Sequence, residues 1–213
     1  MMTVSRSILI LYGSQSGNSE EVAIQTGKAA LKHDLQPTVR AMDEISVSDI
    51  PKQTRVLVCC STWGDGEQPD NAEDLWEAAN SEAVESLDGL HFSVLALGDS
   101  SYDLFCESGK EWDKWFESKG ATRIHDRVDC DVDFEEPAQT WSEAVLLKMA
   151  QLEDRNIPIE TEAIDETTVI EEEVQKEVVA PVVKEKSGKS EWSAKNPYTS
   201  YLTENYVLNG EGS

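Results

Sequence analysis

Apolar residues recur along this chain with two different periods. Continuous runs at residues 8–11, 56–60 and 92–97 lack the in-out alternation of half-exposed strands, so they predict central parallel strands covered on both faces. Weaker runs at 37–41 and 122–125 bring the predicted strands to five. Between them the period lengthens to that of a helix. Asn18 is placed to cap a helix reaching about residue 33, with Glu21 three residues on, and Asn71 to start another. Ser108 and Glu111 have the spacing of a capping box, and Trp112, Trp115 and Phe116 follow as an apolar stripe. Pro137 suits the first turn of a last helix with Ala138, Trp141, Val145 and Met149 on its inner face. Strand and helix thus alternate to about residue 152. That pattern predicts an α/β fold, a doubly wound five-stranded parallel sheet in the order 2-1-3-4-5.

Beyond residue 152 the periodicity stops. Residues 153–190 carry eleven acidic and five basic residues and no aromatic, a composition that predicts an acidic flexible linker. Aromatics return in Trp192, Tyr198, Tyr201 and Tyr206, with strand character over 201–208, as if residues 191–213 opened a further domain. The expected organisation is therefore a domain over 1–152, a linker over 153–190 and a terminal stub. A net charge of −24 over 213 residues argues against nucleic acid or an anionic membrane as partner and favours a basic one. The four cysteines show no CxxC spacing, and Cys59 and Cys60 stand inside an apolar run. They read as core residues in a reducing, cytoplasmic protein. The apolar run at the N-terminus is too short for a signal segment or a membrane span.

Three loops directly follow predicted strands, so they open on one edge of the sheet. The first, Ser14, Gln15, Ser16, Gly17, Asn18 and Ser19, is rich in hydroxyls and leads into a helix N-terminus, where backbone N–H groups and the helix dipole favour a phosphate. It lacks the Gly-Lys-Ser/Thr ending of a P-loop, and neutral donors suit a terminal monophosphate such as that of FMN. The second, Ser61, Thr62, Trp63 and Gly64 followed by Asp65 and Gly66, offers an indole plane and a glycine beside which a peptide rotates at little steric cost. In the third, Leu97, Gly98, Asp99, Ser100, Ser101, Tyr102, Asp103, Leu104, Phe105 and Cys106, Tyr102 supplies a second plane. A flat ring held between Trp63 and Tyr102 is the expected arrangement. His33, His91 and His125 fall on different elements and no His or Cys cluster has ligand spacing, so no metal is expected. Cys106 has no base beside it in sequence, and no catalytic residue is expected.

With these motifs, residues 8 to about 152 resemble a flavodoxin-like FMN domain of the diflavin reductase family, most nearly the flavoprotein (alpha) subunits of NADPH-dependent sulfite reductases. The segments 97–110 and 127–131 are similar to that family's third flavin loop with its helix and to its segment after strand five. Residues 204–213 look like the first strand of its FAD- and NADPH-binding part. Trp63 departs from the sulfite reductase pattern, which usually has a smaller polar residue there, and resembles free flavodoxins instead. The resemblance implies FMN as cofactor, held by the three loops, with an FAD/NADPH reductase module as electron donor. It implies a haem and iron-sulfur protein, the sulfite reductase haemoprotein, as acceptor. Asp65, Asp70, Asp99 and Asp103 lie on or near the loops, and their field is expected to lower the last flavin potential and to steer a basic partner.

Two readings of another kind share the sheet order. Phospho-accepting receiver domains need acidic residues after the first strand and an Asp after the third, where this chain has Tyr12-Gly13 and Ser61-Thr62. A flavin-free interaction domain would be colourless and indifferent to FMN. A stand-alone electron carrier of the flavodoxin or cytochrome-reductase type is the nearest alternative to the sulfite reductase assignment.

Overall fold

The computed structural model describes residues 6–81 and 83–153. The segments expected after residue 152, the linker and the terminal stub, lie outside the described residues except for their first residue. Four strands run as expected: β1 (Ser7–Gly13), β2 (Gln36–Ala41), β3 (Arg55–Ser61) and β4 (His91–Leu97). All pair in parallel in the order β2-β1-β3-β4, which continues to β5 (Thr122–Arg123). The fold is therefore a doubly wound parallel sheet in the order 2-1-3-4-5, as the pattern predicts.

Alternation along the buried strands divides the core into two layers. Leu9, Leu11, Val56, Val58, Phe92 and Val94 face one cluster, which holds Trp112, Trp115 and Phe116 from α3 (Glu107–Ser118) and Leu75 from α2 (Asp70–Ser81). Ile8, Ile10, Leu57, Cys59, Leu95 and Leu97 face the other, packed under α1 (Asn18–Ala30) and α4 (Glu135–Met149). The inner face predicted for the last helix, Ala138, Trp141, Val145 and Met149, is buried there. Gly109 lets α3 approach β4 closely: a Cβ at that position would lie 2.3 Å from that of Ala96.

The fifth strand differs from expectation. Only Thr122 and Arg123 pair with the start of β4, and a separate strand, β6 (Val128–Cys130), pairs with its end, Leu95–Leu97. The Ile124 N–H still donates to the Phe92 carbonyl of β4 at 2.9 Å, and residues 125–127 then leave the sheet as charge draws the chain towards α3. Asp113, nearly buried, accepts two hydrogen bonds from Arg123 at 2.9 and 3.0 Å and one from Arg127 at 2.9 Å. Arg127 in turn meets Asp129 at 2.6 Å.

Three helix starts also differ. Gly17, at φ +91°, is the N-cap of α1 in place of Asn18, a left-handed conformation that a side chain would strain. The helix ends at Ala30, and a 3-10 turn covers Leu31–His33. The second helix begins at Asp70, one residue before Asn71. The capping box at Ser108 and Glu111 is not formed, because Cys106 is the N-cap and Ser108 lies inside α3, where its hydroxyl bonds elsewhere.

Candidate functional site

At the carboxyl edge of the sheet, the ends of β1, β3, β4 and β6 surround a cavity of about 390 Å³, within the range of small-molecule sites. Its wall includes Ser16, Asn18, Ser61, Thr62, Trp63, Gly64, Leu97, Gly98, Asp99, Tyr102, Leu104, Phe105 and Cys106. Residues from all three predicted loops therefore meet in one place. Trp63 and Tyr102 are 52% and 57% exposed, so both rings remain open to contact from within the cavity. Ser14, Gln15, Gly17, Ser19, Ser100, Ser101 and Asp103 are not part of that wall.

Most of these off-wall residues have supporting contacts instead. The Ser14 hydroxyl accepts the Gly17 N–H at 3.0 Å, and the Ser14 N–H donates to Asn71 Oδ1 at 2.8 Å. Gln15 and Asp70 exchange two hydrogen bonds, at 2.9 and 3.1 Å, which lock the first loop to the start of α2. Ser101 N–H donates to Asp99 at 2.8 Å. Ser100 donates from both its N–H and its hydroxyl to Asp131. Those bonds, the hydroxyl first and then the N–H groups of Ser100 and Val132, hold the Asp131 carboxyl below the ordinary carboxylate range.

Whether these residues fit a phosphorylated flavin can be tested on the donors. The Ser19 hydroxyl is fully buried in the first turn of α1 and has no hydrogen-bond partner among the described residues, and the first amides of a helix have none within it. A buried hydroxyl with no acceptor among the described residues, at the positive end of a helix dipole, suits an anion. The two exposed aromatic planes suit a flat ring. The residues present therefore fit the group. Cys106, by contrast, offers no nucleophile: burial first, then the charge of Asp129, pushes its thiol up to about 12.

Asp131, Val132 and Phe134 also line the cavity and were missed by the sequence reading. A residue following a strand that ends at the same edge falls at the site. Residues 128–130 are too short and too polar to show as a strand in the apolar pattern, so the site residues behind them carry no such mark. Asn71 was read as a helix start, although its carbonyl serves the first loop.

Comparison with known proteins gives the same region. The family described as Flavodoxin matches residues 10–141. The sulfite reductase [NADPH] flavoprotein alpha-component of Bacillus subtilis (strain 168) is 38% identical over 210 residues, covering 99% of this chain and 31% of its own length. The protein of the same name from Aliivibrio fischeri is 34% identical, covering 96% and 31%. The chain thus spans about a third of the curated relatives it matches. Among solved structures, a flavodoxin of Streptococcus pneumonia TIGR4 superposes with a TM-score of 0.61 at 28% identity, covering 68% of this chain and 97% of that one. Oxidised flavodoxin 1 of Bacillus cereus, at a TM-score of 0.60 and 19% identity, covers 67% and 96% and speaks to the fold alone.

Proposed function

The chain belongs to the flavodoxin family; from that premise we propose that it carries electrons on FMN and relays them from an FAD/NADPH reductase module to a haem and iron-sulfur protein of the sulfite reductase type. When bound, FMN exchanges electrons singly, which lets a hydride donor serve one-electron acceptors. In this reading Ser14, Gln15, Ser16, Gly17, Asn18 and Ser19 hold the phosphate through neutral donors. Trp63 and Tyr102 bracket the ring, while Ser61, Thr62, Gly64 and the backbone of residues 97–106 shape its edge. Asp65, Asp99 and Asp103 place negative charge around the ring, which disfavours added negative charge on it. The names of the relatives support the donor and acceptor, and four free, buried cysteines support a reducing compartment, the cytoplasm. Among the described residues no helix is long and apolar enough to cross a membrane.

One observation carries the proposal: Ser16 and Asn18 of the serine loop and both aromatic planes line a single cavity. The test is direct. Purified chain mixed with FMN should become yellow at one flavin per chain with quenched Trp fluorescence, and Trp63→Ala should lose much of the quenching. Protein that stays colourless and ignores FMN would overturn the assignment.

A further inference from the structure

The Ser108 and Glu111 pair has a use other than the capping box its spacing suggests. Ser108 is fully buried, and its hydroxyl donates to the Glu67 carbonyl at 2.7 Å. That same carbonyl accepts the Trp63 N–H at 2.9 Å, and the Glu67 N–H returns a bond to the Trp63 carbonyl at 2.8 Å. The Ser108 N–H is a first-turn donor with no partner inside its helix. Thr62 Oγ1, from the same loop, accepts it at 3.2 Å. A residue of the loop thereby caps α3, and a residue of α3 closes the loop. One turn on, Glu111 accepts from Gln68 Nε2 at 2.8 Å, while Gln68 Oε1 accepts the Trp112 Nε1–H at 3.1 Å.

We infer that Ser108 and Glu111 are positioning residues, a two-point clamp on α3 that fixes the Trp63 wall of the cavity by holding both stems of the loop, Thr62 and Gln68. Their separation of three residues puts both on one helix face, turned toward the loop. Ser108 acts at the paired residues next to the indole, where a lost bond leaves the Glu67 carbonyl with only the Trp63 N–H. Glu111 acts at the far stem through the Gln68 amide. Neither lines the cavity, so each acts through the backbone that carries Trp63.

This inference rests on the FMN reading for its consequence but not for its geometry, and the experiment separates the two. In the apoprotein, amide hydrogen exchange at Trp63 and Glu67 should be about tenfold faster in Ser108→Ala than in wild type, with the last turns of α3 unchanged. Glu111→Ala should loosen the same loop, and Glu111→Gln, which keeps an acceptor for Gln68, should restore it. In the FMN-loaded protein both flavin midpoint potentials should move in Ser108→Ala and in Glu111→Ala, and stay near wild-type values in Glu111→Gln. Unchanged exchange in Ser108→Ala, with the fold intact by circular dichroism, overturns the clamp. Faster exchange with unmoved potentials overturns its role at the ring. Should the wild-type chain ignore FMN, the function proposal falls while the exchange comparison still decides the clamp.

Discussion

The two aromatic walls of the cavity are held by different kinds of contact. On the Trp63 side the ties lead inward, to the buried Ser108 and the fully buried Trp112. On the Tyr102 side they stay at the surface, where Asp99 accepts from Ser101 and Asp131 from Ser100. Buried bonds between neutral groups are little affected by salt or pH, and losing one partner there leaves an unsatisfied group. Exposed carboxylate bonds are weaker, screened and titratable. The Trp63 wall is thus tied into a helix, with one carboxylate, Glu111, at its far stem, while the Tyr102 wall is tied by exposed carboxylates alone, which suits a site that fixes one face of a ring and leaves the other adjustable.

The largest expected effect breaks the charged side. Asp113 receives both Arg123 and Arg127, and through Arg127 and Asp129 it holds β6, the strand that ends beside Asp131. Asp113→Ala leaves two guanidinium groups short of a nearly buried partner and should cost about 3 kcal/mol in urea denaturation. Hydrogen exchange should quicken at Ser100 and not at Trp63. A cost below about 1 kcal/mol would mean the network contributes no more than a surface pair.

A smaller effect should erase the contrast. Gly109→Ala places a Cβ 2.3 Å from that of Ala96 and 3.0 Å from its Cα, which lies in β4 and cannot swing aside. The helix must shift outward, at about 2 kcal/mol for a strained overpacked site. Because α3 carries the clamp residues and also begins where the Tyr102 loop ends, both walls should loosen together. If only the Tyr102 wall loosened, the Trp63 wall would not depend on α3.

How far these features could be read from sequence follows the same division. The strands and the inner helix faces were legible because burial on two sides writes itself as unbroken apolar runs, as in residues 56–60, and as helical stripes such as Trp112, Trp115 and Phe116. The three loops were legible because the topology puts strand ends together. What could not be read depended on contacts between segments distant in sequence. The split of the last strand comes from Asp113 drawing Arg123 and Arg127 across 10 and 14 positions. The capping box failed because Thr62, 46 residues away, supplies the cap instead. Asp131 escaped notice for the same reason, since its place at the cavity depends on β6.

The smallest expected effect sharpens the comparison by pH. The Ser100 hydroxyl, then the N–H groups of Ser100 and Val132, hold the Asp131 carboxyl below the ordinary carboxylate range. An Asp with a depressed folded pKa contributes fully above its unfolded value of about 3.9, and the contribution is lost as pH falls through the folded value. Protection of the Ser100 amide, corrected for intrinsic exchange, should therefore persist below the pH at which an ordinary Asp is half protonated, then fall. The Trp63 amide should change less over the same window, because the Ser108 hydroxyl holds its partner carbonyl and the Glu111 carboxylate acts only at the far stem, through Gln68. In Asp131→Asn the Ser100 step should vanish, since no proton is left to gain. Loss of protection at both amides together, with the fold still present by circular dichroism, would mean that the two walls open as one unit and that the division between packing and charge does not govern the site.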